Sequence, residues 1–195
     1  MTPRPALALV LAFPAPSDYD EKLEAQERKK SDQNKDVKGA NVMWYKQTIN
    51  NACGPYAILH AVCNGDARNG ILPNSHLSRL LAVCAPLSQS ECARVIEEDV
   101  DLEAVYKSVA QQGDSEVPES PEDVVGFHYV CLVESHTNGR LYEVDGDKQE
   151  PVDMGTQGPG EDVLSATGLG VIRGFVQRER ERAGDHFSLL VLAPQ

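Results

Sequence analysis

The apolar positions of the chain fall into a few well-separated runs. The first, "ALALVLAF" from Ala6 to Phe13, is unbroken for eight residues and fits a strand buried on both faces, which shows no polar alternation. With Arg4 ahead of it and small residues behind, the same run also fits the apolar centre of a short signal peptide. "NVMWYKQT", Asn41 to Thr48, reads as a second strand. Tyr56 to Val62 is apolar apart from His60 and predicts a buried helix opening close to Cys53, with Asn50 and Asn51 as N-cap residues and Pro55 in the first turn.

Helical periodicity then runs from Asn74 to Gln112 in three pieces, "HLSRLLAVCA", "SQSECARVIEED" and "DLEAVYKSVAQQ". The second is opened by a Ser88-x-x-Glu91 capping box. Strand patterning returns in "FHYVCLVES" and "RLYEVDG", which flank "HTNG" as a hairpin. A Gly/Pro loop, Gly155 to Gly160, precedes a helix whose acidic start and basic end suit the helix dipole, and "HFSLLVLAP" reads as a last strand. Two stretches carry little apolar content: Ser17 to Ala40, expected to be an exposed loop or frayed helix, and Gly113 to Gly126, rich in Asp, Glu, Ser and Pro and expected to be a mobile loop. The length, 195 residues, suits one domain.

Charge narrows the choice of partner. With 18 Lys and Arg against 30 Asp and Glu, a net charge of −12 disfavours nucleic acid and anionic membrane and suits a basic partner. No apolar run reaches the roughly 18 residues of a membrane-spanning helix. The five cysteines, Cys53, Cys63, Cys84, Cys92 and Cys131, form no C-x-x-C pair and no zinc-spaced cluster, so neither a disulfide framework nor a structural zinc site is expected. Such thiols belong in a reducing compartment, cytoplasmic or nuclear.

Cys53 sits where chemistry is available to a thiol. Helix N-termini and neighbouring imidazolium groups bring cysteines from a pKa of about 8.5 to roughly 3.5–7.5, and Gly54 beside it leaves room for a substrate. The other four cysteines lie within apolar helices or a strand and read as small buried residues. A nucleophilic thiol needs a base, and the base an orienting group. Strand alternation puts His128, Val130, Leu132 and Glu134 on one face of the hairpin and Leu141, Glu143 and Asp145 together on a face of the other strand. A four-residue loop, Ser135 to Asn138, sets His128 directly opposite Asp145. A two-residue type I′ turn at Asn138-Gly139 sets Asp145 opposite Leu132 instead, and the local turn signal favours it. His60, His76, His136 and His186 have no comparable carboxylate and read as structural.

"KQTINNACGPYAILHAVCN" and "FHYVCLVESHTNGRLYEVDG" resemble the two signature blocks of the ubiquitin carboxyl-terminal hydrolases, cysteine deubiquitinases with a papain-like fold. "PRPALALVLAFP" is similar to that family's segment ahead of its long acidic loop, and "HFSLLVLAP" to its last strand. The resemblance implies an α+β fold with a central, mostly antiparallel sheet flanked by helices, and makes Ala6 to Phe13 an internal core strand. It implies one hydrolase domain over residues 1–195, shortened at its N-terminus relative to the family, with 113–126 as a crossover loop over the site. It assigns Cys53 as nucleophile, His128 as general base, Asp145 as the residue that orients His128, and Gln47 as oxyanion stabiliser. The hairpin between His128 and Asp145 is two residues longer than is usual in the family, an even insertion that can keep the two facing.

The implied substrate is ubiquitin or a ubiquitin C-terminal adduct, cleaved through a thioester with side chains and water alone, so that no cofactor and no metal is expected. A monomer is the default. Two alternatives share these residues: a catalytically silent ubiquitin-binding module, and a hydrolase for another ubiquitin-like modifier.

Overall fold

The structure, a computed structural model, describes residues 4–15, 42–113 and 126–194. The stretch Ser17 to Ala40 and the interior of the expected crossover loop lie outside the described residues.

The run Ala6 to Phe13 supplies β1 (Ala8–Pro14), which pairs antiparallel with β2 (Phe127–Glu134) on one side and β5 (Ser188–Leu192) on the other. β3 (Arg140–Val144) and β4 (Val152–Thr156) complete a five-stranded sheet in the order β4-β3-β2-β1-β5, antiparallel throughout. Strand β4 was not anticipated. It is short, flanked by Pro151 and includes Gly155, features that read locally as loop, and it pairs at the sheet edge through a β-bulge between Leu141 and Tyr142.

β1 is continuously apolar because both faces of the sheet are covered. On one face Ala8, Cys131, Val133 and Val144 pack with Ala57 and Ala61 of helix α1 (Cys53–Val62). On the other, Leu9, Leu132 and Leu141 pack with Val163, Leu164 and the apolar side of helix α5 (Ala166–Ala183), and Leu11, Phe13 and Val130 meet Phe175 of that helix. A second core, built on Tyr45, Tyr56, Leu59 and Cys63, joins α1 to α2 (His76–Cys84) and α3 (Gln89–Glu97). Helix α4 (Val100–Ala110) follows, with no buried side chain. The Ser88–Glu91 capping box is formed.

Two local expectations are corrected. Asn50 and Asn51 do not occupy the N-cap position of α1: Ala52 does, without a side-chain bond, and Asn51 takes a positive φ of 56°. The stretch expected as a strand, Asn41 to Thr48, belongs to no sheet over its described residues, 42–48. Side chains stand in for a neighbouring strand. Asn64 accepts from the Met43 N–H at 2.7 Å and donates to the Met43 carbonyl at 2.8 Å, while His60 Nε2 accepts from the Tyr45 N–H at 3.1 Å. The backbone groups are thereby satisfied by α1 and the turn that follows it.

The hairpin register also differs from both anticipated pairings. Cys131 opposes Val144 and Glu134 opposes Leu141, which, continued outward, sets Val130 against Asp145 and His128 against Asp147. The loop is responsible. Ser135 Oγ accepts from the N–H groups of Thr137 and Asn138, Asn138 Oδ1 accepts from the Arg140 N–H, and Gly139 takes a φ of 64° that suits glycine. The Asn-Gly pair thus ends a four-residue loop, 136–139, rather than forming the two-residue turn.

Candidate active site

Cys53 is the first residue of α1, half-buried, with Sγ 3.9 Å from the carbonyl oxygen of Phe127 at the start of β2. Helix α1 packs along β2, so the thiol is carried to the end of that strand, where the next residue is His128. The thiol also hydrogen-bonds the His128 side chain.

His128 is buried, and its ring is fixed from three directions. Nε2 is 3.0 Å from Asp145 Oδ1, Nδ1 is 3.4 Å from Asp147 Oδ2, and the Phe13 ring meets it edge-on with centroids 5.7 Å apart. Burial by itself lowers a histidine's pKa. Here the charge and hydrogen bond of Asp145, the hydrogen bond to Cys53 and the charge of Asp147 overcome it and hold the imidazole well above the ordinary histidine range.

Asp145 is fully buried, which raises a carboxyl's pKa, yet His128, Lys148 and the Asp147 N–H together hold it below the usual carboxylate range. Its Oδ1 accepts from the Asp147 N–H at 3.0 Å as well as facing His128. Its backbone carbonyl accepts from Trp44 Nε1 at 2.7 Å. The contact between His128 and Asp145 is therefore diagonal across the strands rather than between directly opposed residues, a separation that long or aromatic side chains span readily.

Gln47 lies on the segment ahead of α1, tied to the loop that bears Asp145. Its N–H donates to the Gly146 carbonyl at 2.9 Å, and Lys46 Nζ donates to the carbonyls of Asp147 and Lys148 at 2.7 and 3.2 Å. The approach is close enough to require glycine at 146: a Cβ there would stand 2.8 Å from Gln47 Cβ. Gln47 Oε1 is buried and has no hydrogen-bond partner. One side-chain amide of this kind, held by its backbone to the carboxylate's own loop, can present donor hydrogens to an oxygen that gains negative charge.

The remaining titratable groups separate from this cluster. Burial pushes the Cys63 thiol up to about 11 and the Cys84 thiol up to about 12, and raises that of Cys131, so these cysteines are packing residues, and all five are free thiols. His60, within α1, is held neutral, its pKa lowered to about 4 by burial. Trp44, Gly146 and Asp147 are part of the arrangement and were not singled out in the sequence. "DGD" directly after β3 was the available signal for Asp147, and it reads equally well as a turn. His128, Asp145 and Asp147 also place potential ligand atoms within 4.8 Å of one another. The 3.0 Å separation of Nε2 and Oδ1 is that of an N–H···O hydrogen bond, and the cluster is read as a hydrogen-bonded imidazole.

Comparison with known proteins gives the family and the fold. The family model described as ubiquitin carboxyl-terminal hydrolase, family 1, matches residues 1–177. The chain is 36% identical over 181 residues to a ubiquitin carboxyl-terminal hydrolase of Aplysia californica, covering 93% of this chain and 79% of that protein. It is 33% identical over 182 residues to human ubiquitin carboxyl-terminal hydrolase isozyme L1, covering 91% and 75%. The fold is similar to that of the Trichinella spiralis UCH37 catalytic domain, solved bound to ubiquitin vinyl methyl ester, with a TM-score of 0.64 at 18% identity over 98% of this chain and 78% of that one. The α+β, papain-like architecture and the family follow together: the chain belongs to the ubiquitin carboxyl-terminal hydrolases of family 1, which are cysteine-type deubiquitinases.

Proposed function

We propose that this protein hydrolyses the amide or ester bond at the C-terminal glycine of ubiquitin through a thioester on Cys53. The observation that carries the reading is the imidazole of His128, buried and held between the Asp145 carboxylate and a thiol at a helix N-terminus. The Cys53 thiolate attacks the glycine carbonyl carbon. As the C–S bond forms, the carbonyl oxygen takes up negative charge, and Gln47 stabilises it with its side-chain amide. Collapse breaks the bond to the amine, which leaves with the proton from Nδ1 of His128. Water then attacks the thioester and gives a proton back to Nδ1, the C–S bond breaks, and ubiquitin leaves as a carboxylate. Asp145, on Nε2, keeps the ring in the tautomer and orientation that leave Nδ1 to the thiol.

Ubiquitin as the partner is supported by the family and by the bound ubiquitin derivative in the UCH37 structure. Ubiquitin's basic tail suits a chain of net charge −12. Five free thiols suit the reducing cytoplasm or nucleus, where we place the protein. The test is turnover of a fluorogenic ubiquitin C-terminal amide by the purified chain and by Cys53→Ala. Turnover lost in the variant is the expected result; turnover retained would overturn the assignment.

A further inference from the structure

Asp145 takes His128 Nε2 at 3.0 Å, so in the mechanism proposed above Nδ1 is the nitrogen that serves Cys53, and Nδ1 also faces Asp147 Oδ2 at 3.4 Å. The register of the hairpin fits this: the ladder ends at Cys131 opposite Val144, and its line extended brings residue 147, two beyond the orienting carboxylate, to the level of His128. Asp147 is itself held in place. Its N–H is bonded to Asp145 Oδ1 and its carbonyl receives Lys46 Nζ. Its side chain is a quarter exposed, so its charge reaches the ring without being fully screened by water.

We propose that Asp147 is a positioning residue of the hydrolase: it clamps the thiol-facing nitrogen of His128 and so favours the protonated ring, stabilising the thiolate–imidazolium pair that attacks and aiding proton uptake from water in the second half-reaction, while opposing proton release to the leaving amine. The proposal rests on the assignment of Cys53, His128 and Asp145 made above. Asp147 itself exchanges no proton with substrate. In the first half-reaction the Nδ1 proton passes to the amine as the C–N bond breaks, and in the second a proton of the attacking water passes to Nδ1 as the C–O bond forms. A carboxylate that favours imidazolium opposes the first transfer, because a ring that holds its proton more tightly is the weaker acid. It aids the second, because the neutral ring left behind is the stronger base toward water.

The other groups around the ring do not duplicate this role. From α1, Cys53 contacts the ring, while His60, held neutral by burial, feels the charge of Asp145. From the loop after β3, Asp145 is on Nε2 and Lys148, paired with Glu143, acts on Asp145. Lys46, from the segment before α1, reaches the Asp147 backbone. Strand β1 presents the uncharged Phe13 ring, and Tyr106 of α4 lies toward Cys53. Asp147 is the one carboxylate of this set on Nδ1.

The experiment is the pH dependence of Cys53 alkylation by iodoacetamide, with the modified residue located by peptide mapping, in the wild-type chain and in Asp147→Asn, Asp147→Ser and Asp147→Glu. It needs no ubiquitin. A thiolate paired with imidazolium gives two inflections, the upper one belonging to loss of the ring proton. Asp147→Asn and Asp147→Ser are expected to lower the upper inflection by about one pH unit, the lower end of what an adjacent opposite charge does, and Asp147→Glu to retain it. Two inflections in the wild type that neither neutral variant moves would overturn the proposal and leave the hydrolase reading intact. A single inflection in every protein, near the ordinary thiol value of about 8.5, would remove the ion pair itself and overturn both.

Discussion

At the residue scale the site depends on which nitrogen of one imidazole meets which carboxylate. Asp145→Asn keeps the shape of the side chain but can turn an amide N–H toward Nε2, which disfavours the tautomer with Nδ1 open to the thiol. Its kcat/KM on a ubiquitin C-terminal amide is expected to fall by about 10³–10⁴, the scale seen when an orienting aspartate is made neutral in a catalytic triad. Gly146→Ala acts on the other arm. The added Cβ would meet Gln47 Cβ at 2.8 Å, and the displaced amide is expected to cost roughly 10²–10³ in kcat, as loss of one oxyanion donor does, with KM little changed. Steady-state kinetics on both variants checks the pair. A Gly146→Ala protein with wild-type kcat would mean that Gln47 is not held by this contact.

At the scale of elements, the placing of Gln47 ahead of Cys53 is the work of a segment with no strand neighbour. Asn64, fully buried at the end of α1, bonds both backbone groups of Met43 and also the carbonyl of His60 at 2.8 Å. Asn64→Ala would leave three buried or half-buried backbone groups without this partner, and about 3 kcal/mol of stability or more should be lost in a urea titration, at the low end of roughly 1–3 kcal/mol per unsatisfied group. Much of this level was hidden from sequence reading. The contact between Met43 and Asn64 joins positions 21 residues apart through a side chain, and neither periodicity nor turn chemistry encodes it. The apolar run of β1, the capping box at Ser88 and the thiol at the start of α1 were legible because each is a local pattern with a local cause. The pairing of β2 with β3 was not. It turned on whether Asn138 and Gly139 form the whole loop or only its end, and the Ser135 hydroxyl, bonded to the next turn's N–H groups, decides it. His128 and Asp145 still meet because a shift of two residues keeps both on the same face, and the same shift brings in Asp147, which the sequence alone did not distinguish from a turn residue.

At the scale of the molecule, two buried histidines bend the stability curve in opposite directions. His60 titrates near 4 when folded and near 6.5 when unfolded. The unfolded chain therefore binds more protons in that window, and stability present above pH 6.5 is lost as pH falls toward 4, by roughly 3 kcal/mol for this one site. His128 is raised when folded, so its contribution is complete below about pH 6.5 and is lost as pH rises through its folded value. Asp145, lowered when folded, contributes above its unfolded value of about 3.9 and loses that contribution in stronger acid. Unfolding free energy is thus expected to peak near pH 6.5. His60→Gln, which keeps an acceptor for the Tyr45 N–H, should flatten the acid limb between pH 6.5 and 4, and His128→Gln the alkaline one. Denaturant titrations at a series of pH values read both, and an acid limb unchanged in His60→Gln would place its origin elsewhere.

The claim on which the rest depends is that Cys53 and His128 form one reactive unit toward the C-terminus of ubiquitin. It is tested most directly by incubating the purified protein with ubiquitin carrying a C-terminal electrophile, then measuring intact mass and mapping the adduct. The expected result is a single ubiquitin on Cys53, absent from Cys53→Ala and strongly slowed in His128→Ala. A folded wild-type protein that takes up no ubiquitin, or takes it up on Cys63, Cys84, Cys92 or Cys131, would contradict the account.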